Sequence, residues 1–229
     1  MAVDIQEAIK DWVVSPPHVY IKLKKTLEDP MSSFKEFSAI IGGDPALAAR
    51  LLKIVNSSFY GLESEVDTIT HALGVIGTEQ LTELVLATSV TEQFPDIPEH
   101  LVSMDLFWKH SIACGVTAKI IADWHGESNL ESYYLAGMLH DIGQIVLCTK
   151  LPELTLKILL EAQSQNQPLP VLEDHELGFN HAELGGRLLE KWNLSEFHIE
   201  TTEFHHKPAI APNYSMESSI LYYADILAN

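Results

Sequence analysis

Apolar residues along most of this chain recur every three or four positions, the spacing of one buried face on an α-helix. In the amino-terminal half, Ser33 and Glu36 have the spacing of a capping box at the start of a helix. Asp44 and Pro45 place an N-cap aspartate before a first-turn proline, and apolar residues then recur at helical spacing over residues 47–55. These signals predict short helices joined by brief turns, which is typical of a compact helical bundle.

The carboxy-terminal half is also predicted to be helical. A long helix is predicted from about residue 103 to 124, with His110 on an inward apolar stripe that includes Leu106 and Trp124. The segment 133–148 is apolar on nearly all sides, which predicts one helix buried at the centre of a bundle. Three further helices are predicted near residues 178–191, 194–206 and 215–228.

A break in the helical pattern divides the chain. Residues 94–101 (FPDIPEHL) contain two prolines and have no helical period. We therefore expect an amino-terminal helical subdomain over residues 1–100, packed on a second helical subdomain over residues 101–229. Because no segment alternates as a strand would, the predicted fold class is all-α.

Composition and charge limit the partners that this chain can have. Acidic residues outnumber basic ones by 32 to 14, and the net charge is −18. Such a surface repels phosphate backbones and anionic lipids, so we expect neither direct nucleic-acid binding nor membrane binding. Cys114 and Cys148 each lie alone in apolar stretches, which predicts two buried thiols in a reducing compartment. With no secretory leader in the sequence, a cytoplasmic location is expected.

Several polar residues interrupt the otherwise apolar helices of the second half. Buried imidazole and carboxylate groups need partners, because an unpaired one costs about 1–3 kcal/mol. Either these groups satisfy one another, or they bind a divalent cation such as iron, manganese, nickel or zinc. The candidate metal ligands are His110, His140, Asp141, His181, His205, His206 and Asp225.

The order of these residues resembles that of a known superfamily. A histidine, a His-Asp pair and a later aspartate resemble the HD superfamily of metal-dependent phosphohydrolases, and the additional histidines are similar to those of HD-GYP phosphodiesterases. The whole chain is more similar to the HD-related output domain (HDOD) proteins of bacterial signalling. That resemblance rests on four stretches, residues 44–61, 68–77, 136–143 and 188–194, and covers nearly all of residues 20–228.

The resemblance implies a fold, a role and a set of ligands. An HDOD protein has an amino-terminal helical subdomain packed on an HD-like subdomain and acts as a regulatory output module through protein partners. By position, the ligands of a first metal would be His110, His140, Asp141 and Asp225. Asp141 would then bridge to a second ion held by His181 and by His205 or His206. The site would be mono- or dinuclear.

Other features depart from the phosphodiesterase branch. The chain has no Gly-Tyr-Pro triplet, Gln144 stands where that branch has a lysine, and Leu106 stands where trinuclear members have a glutamate ligand. We therefore expect a bacterial signalling module that acts through signalling protein partners and has a metal-binding HD-like site, with a homodimer as a further expectation. The alternative is an active metal-dependent phosphohydrolase or phosphodiesterase acting on a nucleotide or other phosphoester. A third hypothesis is a scaffold whose histidines and aspartates only satisfy one another.

Overall fold

All regular elements in the described part of the chain are helices. The structure, a computed structural model, describes residues 5, 16–56, 60, 62, 64–89, 97–98 and 100–229. Within these residues no strand forms, which confirms the predicted all-α fold class. The described residues form two compact units, one within residues 16–89 and the other within 97–229 together with residue 5. Because part of the segment 94–101 lies outside the described residues, the predicted boundary at residue 100 stays a prediction.

The first unit is a bundle of short helices. In chain order these are α1 (His18–Glu28), α2 (Phe34–Gly42), α3 (Pro45–Val55), α4 (Ile69–Ile76) and α5 (Thr78–Ser89). The predicted capping box is confirmed, since Glu36 Oε2 accepts a hydrogen bond from the backbone N–H of Ser33 at 2.7 Å. The predicted cap at Asp44 is confirmed too, because its Oδ1 accepts from the N–H groups of Ala46 and Leu47 at 3.0 Å each.

The second unit contains the remaining helices. They are α6 (Met104–His125), α7 (Leu130–Leu139), α8 (Ile142–Lys150), α9 (Pro152–Gln165), α10 (Leu169–Leu177), α11 (His181–Lys191), α12 (Glu196–Phe204) and α13 (Ser215–Ala228), with a 3₁₀ turn at Pro208–Ile210. Helix α6 packs against α7 and α13, and α11 packs against α8 and α12. The core between α6, α7 and α13 includes the small residues Cys114, Ala118, Ala122, Ala136 and Ala224, which allow helices to approach closely.

The inward stripe predicted for α6 is wrong. Leu106 is 63% exposed and Trp124 is 88% exposed, although the apolar pattern predicts both on the buried face. The buried face instead carries smaller side chains, among them Cys114, Ala118 and Ala122, each 0% exposed. Much of the buried face carries small residues because the neighbouring helices lie close, and Phe107 is the one large apolar residue among the buried side chains of this helix.

The single buried helix predicted over residues 133–148 is also wrong. Helix α7 ends at Leu139, His140 and Asp141 form a turn, and α8 begins at Ile142. The absence of a side chain at Gly137, in the last turn of α7, leaves room for a close neighbour. A Cβ atom on Gly137 would overlap backbone atoms of Gly115 in α6.

A second close approach fixes the start of α11. A Cβ atom on Gly143 in α8 would overlap the backbone carbonyl of His181, the first residue of α11. This contact holds the beginning of α11 directly beside the turn at His140 and Asp141. Both cysteines are free and buried, as predicted. Among the described residues, no helix has the length and continuous apolar character that crossing a bilayer requires.

Candidate metal centre

The structure brings all seven predicted ligands together within the second unit. They come from five separate places in the chain, and the carboxylate of Asp141 lies among the other six. The contributors are His110 of α6, His140 and Asp141 of the turn between α7 and α8, His181 at the start of α11, His205 and His206 after α12, and Asp225 of α13.

One side of the cluster faces Asp141 Oδ2. This oxygen lies 3.2 Å from His140 Nε2 and 3.7 Å from His110 Nε2. Asp225 completes the group, because its Oδ1 is 3.2 Å from His110 Nε2 and 3.7 Å from His140 Nε2. Asn229 donates a 3.0 Å hydrogen bond from Nδ2 to Asp225 Oδ1, which fixes that carboxylate. These atoms form the first half-site, in which His110, His140 and Asp225 can hold an ion.

The opposite side faces Asp141 Oδ1. This oxygen lies 3.3 Å from His181 Nε2 and 3.7 Å from His205 Nε2. His206 Nε2 is 2.9 Å from His181 Nε2. Asp141, His181, His205 and His206 form the second half-site and can also hold an ion. The two oxygens of one carboxylate therefore serve two separate histidine groups.

Backbone carbonyls orient two of the histidines. His140 Nδ1 lies 2.8 Å from the Gly137 carbonyl oxygen, and His205 Nδ1 lies 2.7 Å from that of Thr202. Since a carbonyl oxygen only accepts, the Nδ1 atom must carry the hydrogen in both rings. In the neutral ring the Nε2 atom then presents its lone pair towards Asp141. This is the arrangement found in metal-binding histidines, whose second nitrogen donates to a fixed acceptor.

A buried carboxylate that the sequence did not reveal orients a third histidine. Glu173 in α10 is 2% exposed, and its Oε2 accepts hydrogen bonds from His181 Nδ1 at 2.6 Å and from the His181 backbone N–H at 2.9 Å. Nothing in the pattern around Glu173 distinguishes it from a surface glutamate. It reaches His181 because the chain turns at Gly178, where φ is +88°, between α10 and α11.

The carboxylates change the charge state of two histidines. Burial alone would disfavour an imidazolium at His140, but the adjacent Asp141 outweighs burial and raises the pKa of His140 well above its usual value. Burial of His181 is likewise outweighed, by Glu173 and Asp141, so that its pKa rises to about 10. Burial would raise the pKa of Asp141, yet His140 and His181 hold this pKa well below its usual value. Without a metal, protons on these rings balance the carboxylate charge.

The other two histidines of the second half-site stay neutral. Burial, together with the charge of neighbouring histidines, lowers the pKa of His205 well below its usual value and that of His206 to about 4. Because His205 Nδ1 donates to Thr202, the neutral ring presents its Nε2 lone pair towards Asp141. This Nε2 atom is buried and has no hydrogen-bond partner in the described part of the chain. A cation would satisfy it, so the donor set fits a metal better than it fits mutual hydrogen bonding.

The cluster is open to solvent through a cavity of about 330 Å³. Five of the seven ligands reach its wall, whereas His140 and His205 are fully buried beneath. The cavity residues are Val102, Leu106, Phe107, His110, Asp141, Gln144, Leu169, Pro170, His181, His206, Asp225 and Asn229. A small molecule can therefore reach both half-sites.

Known proteins resemble this chain along nearly its whole length. A Treponema pallidum protein of uncharacterised function is 28% identical over 213 residues, which cover 93% of this chain and 41% of that protein. The chain thus spans about two fifths of the length of that relative. The crystal structure of a Shewanella amazonensis protein, provisionally named a phosphohydrolase, matches with a TM-score of 0.83 and 24% identity, covering 98% of this chain and 79% of the other.

A second solved structure comes from Marinobacter aquaeolei and is provisionally named a signal transduction protein. It matches with a TM-score of 0.74 and 19% identity over 98% of this chain and 50% of the other. At such identities the structural matches show a shared fold only. The HDOD domain family matches residues 13–208, which is most of the sequence. This chain therefore belongs to the HDOD domain family.

Proposed function

We propose that this protein is a signalling output module that binds divalent transition metal at the bridged cluster. The observation that carries the proposal is the position of Asp141, whose two oxygens face two groups of Nε2 atoms. Imidazole nitrogen with carboxylate oxygen suits iron, manganese, nickel or zinc. The ligands of one ion would be His110, His140, Asp141 and Asp225, and those of a second would be Asp141, His181, His205 and His206.

Hydrogen bonds to neighbouring residues orient three of the histidine rings in the metal-free protein. Gly137, Thr202 and Glu173 hold the Nδ1 sides of three rings, so the Nε2 atoms need no rearrangement to bind. Ion binding would displace the protons that His140 and His181 carry in the metal-free protein. Metal uptake is therefore coupled to proton release.

Action through protein partners has a different support. The HDOD proteins that this chain resembles act as output modules, and the Marinobacter protein of similar fold is provisionally named a signal transduction protein. In the Treponema relative the matching segment is one part of a longer chain, as expected of a module. The metal centre would then serve the folding of the module or the sensing of an input.

Metal-dependent phosphoester hydrolysis is the second candidate, favoured by the cavity that joins both half-sites to solvent. Bound divalent ions supply Lewis-acid chemistry, which lowers the pKa of water and stabilises charge on phosphoryl oxygens. The chain itself would position the substrate with the amide of Gln144 and with the apolar wall that includes Leu106 and Leu169. No lysine or arginine lines the cavity in the described part of the chain, so its residues add no cation of their own.

Metal analysis tests the shared premise of both candidates. Protein purified without nickel resin and loaded with manganese or iron is analysed by mass spectrometry, beside Asp141→Ala and the exposed control Asp123→Ala. We expect one to two equivalents of metal per protein chain in wild type and in Asp123→Ala. Asp141→Ala should lose this metal, because the substitution removes a ligand from both half-sites. Less than about a tenth of an equivalent in loaded wild type would refute metal binding.

An activity assay distinguishes a signalling module from a phosphohydrolase. The metal-loaded protein is assayed on an aryl phosphate and on an aryl phosphodiester. Hydrolysis that disappears in His140→Ala would support the enzyme, because His140 is fully buried and reaches substrate only through the centre. Full metal occupancy without hydrolysis of either substrate would support the module.

A further inference from the structure

The walls of the cavity above the metal centre are largely apolar. Apart from the ligands, its lining consists of five apolar residues and two amides. Leu106 lies one helical turn before His110 and is 63% exposed, so its side chain is accessible to a ligand in the cavity. The start of α10 contributes Leu169 and Pro170 to the same cavity. These residues offer a surface for an apolar group next to the metal ligands.

The cavity offers little to a ligand with several separate charges. Within the described part of the chain, its lining contains no lysine or arginine. Lys207, which follows the ligand His206, is held by Asp174 at 2.7 Å. The amide of Gln144 makes no side-chain hydrogen bond in the described part of the chain and can donate to one anionic group. Any anion therefore has to bind the metal ions, with Gln144 as the neutral donor beside them.

The size of the cavity sets a further limit. A volume of about 330 Å³ lies near the lower end of the range for ligand pockets, about 300–1,000 Å³. We propose that this cavity binds a small phosphate monoester or phosphonate, that is, an oxyanion that carries one apolar group. This inference rests on the metal site proposed above. The oxyanion contacts the ions and Gln144, and the apolar group lies against Leu106, Leu169 and Pro170. A cyclic dinucleotide fits poorly, because its second phosphate has no cationic partner.

A pair of stable phosphonates tests this inference without relying on turnover. Phenylphosphonate and methylphosphonate have the same metal-binding group and differ only in the apolar part. Their dissociation constants are measured by calorimetry on the manganese-loaded chain, with a cyclic dinucleotide as a third probe. The variants are Leu106→Asn and, as a matched control, Leu160→Asn. Leu160 is a similarly exposed helical leucine (57%) that lies outside this cavity.

We expect phenylphosphonate to bind at least about tenfold more tightly than methylphosphonate, because the phenyl ring is buried on the wall. Leu106→Asn should reduce this preference about threefold or more and leave the metal content unchanged, whereas Leu160→Asn should keep the preference. Equal binding of the two phosphonates by metal-loaded wild type would overturn the inference, as would tighter binding of the cyclic dinucleotide. Protein that holds no metal would overturn the proposed function as well, and the metal content distinguishes the two failures.

Discussion

Replacing Glu173 with glutamine changes the support of one half-site while preserving side-chain size. Glu173 Oε2 accepts two hydrogen bonds from His181, at 2.6 Å from Nδ1 and at 2.9 Å from the backbone N–H. Both are made to a charged, nearly inaccessible carboxylate, and a hydrogen bond to a charged group contributes about 1.5–3 kcal/mol. The amide of the Glu173→Gln variant would keep one acceptor oxygen but lose the charge, so the ring of His181 would be a weaker and less firmly oriented ligand.

Glu173 is a carboxylate that does not bind the metal itself but orients a histidine ligand, so its replacement should lower metal affinity. Removing one generally lowers metal affinity about 10- to 100-fold, or about 1.4–2.8 kcal/mol, which agrees with the loss of one charge-assisted hydrogen bond. Among the seven ligands Glu173 hydrogen-bonds to His181 alone, so the effect should fall on the second half-site. Glu173→Gln should therefore weaken one of two metal-binding steps and leave the other unchanged.

Calorimetric titration of the metal-free protein with manganese or zinc resolves the two steps. The matched control is Glu176→Gln in the same helix, because Glu176 pairs with Lys157 at 2.7 Å, away from the cluster. The melting temperature of each metal-free variant shows whether its fold is retained. If folded Glu173→Gln binds two equivalents as tightly as wild type, Glu173 does not position His181 for metal.

Two further predictions concern stability. Gly143→Ala should destabilise the protein by about 3 kcal/mol or more and release the metal of the second half-site, because the new Cβ atom would overlap the His181 carbonyl. In the control Gly42→Ala the new Cβ atom has no neighbouring atom within 4 Å, so the thermal midpoint should change little. His198 is buried and its pKa is lowered to about 4, so the unfolded chain takes up a proton there below about pH 6.5 while the native state does not. The free energy of unfolding should therefore decrease as the pH is lowered from about 6.5 to 4, and His198 should account for up to about 3 kcal/mol of this decrease. Urea unfolding at the two pH values should show a correspondingly smaller decrease in His198→Gln.

Local signals in the sequence predicted the elements and their caps. Ser33 and Asp44 were recognised as caps because capping depends on residues only two or three positions away. The long helix that carries His110, predicted over about residues 103–124, spans Met104–His125, with Ser103 as its N-cap and Gly126 after its last residue. The order of histidines and aspartates, together with the resemblance to HDOD proteins, was sufficient to identify a set of residues that the structure brings together.

Features set by packing could not be predicted in this way. A helical pattern weights large apolar residues, so it placed Leu106 and Trp124 inside, although the close neighbours of α6 select small residues for the buried face. The turn at His140 and Asp141 lies in a continuous apolar segment and has no glycine or proline of its own. Glu173 acquires its role only when α10 folds back onto the start of α11. Each of these depends on contacts between separate helices, which the local sequence pattern does not specify.

In the proposed metal centre, Asp141 bridges two half-sites. The most direct test is a crystal structure of the manganese-loaded protein, with anomalous diffraction data collected at the manganese absorption edge. We predict two anomalous peaks, one within bonding distance of Asp141 Oδ2 and His140 Nε2 and the other of Asp141 Oδ1 and His181 Nε2. Loaded crystals that show no anomalous peak beside Asp141, with these side chains hydrogen-bonded to one another instead, would contradict the claim.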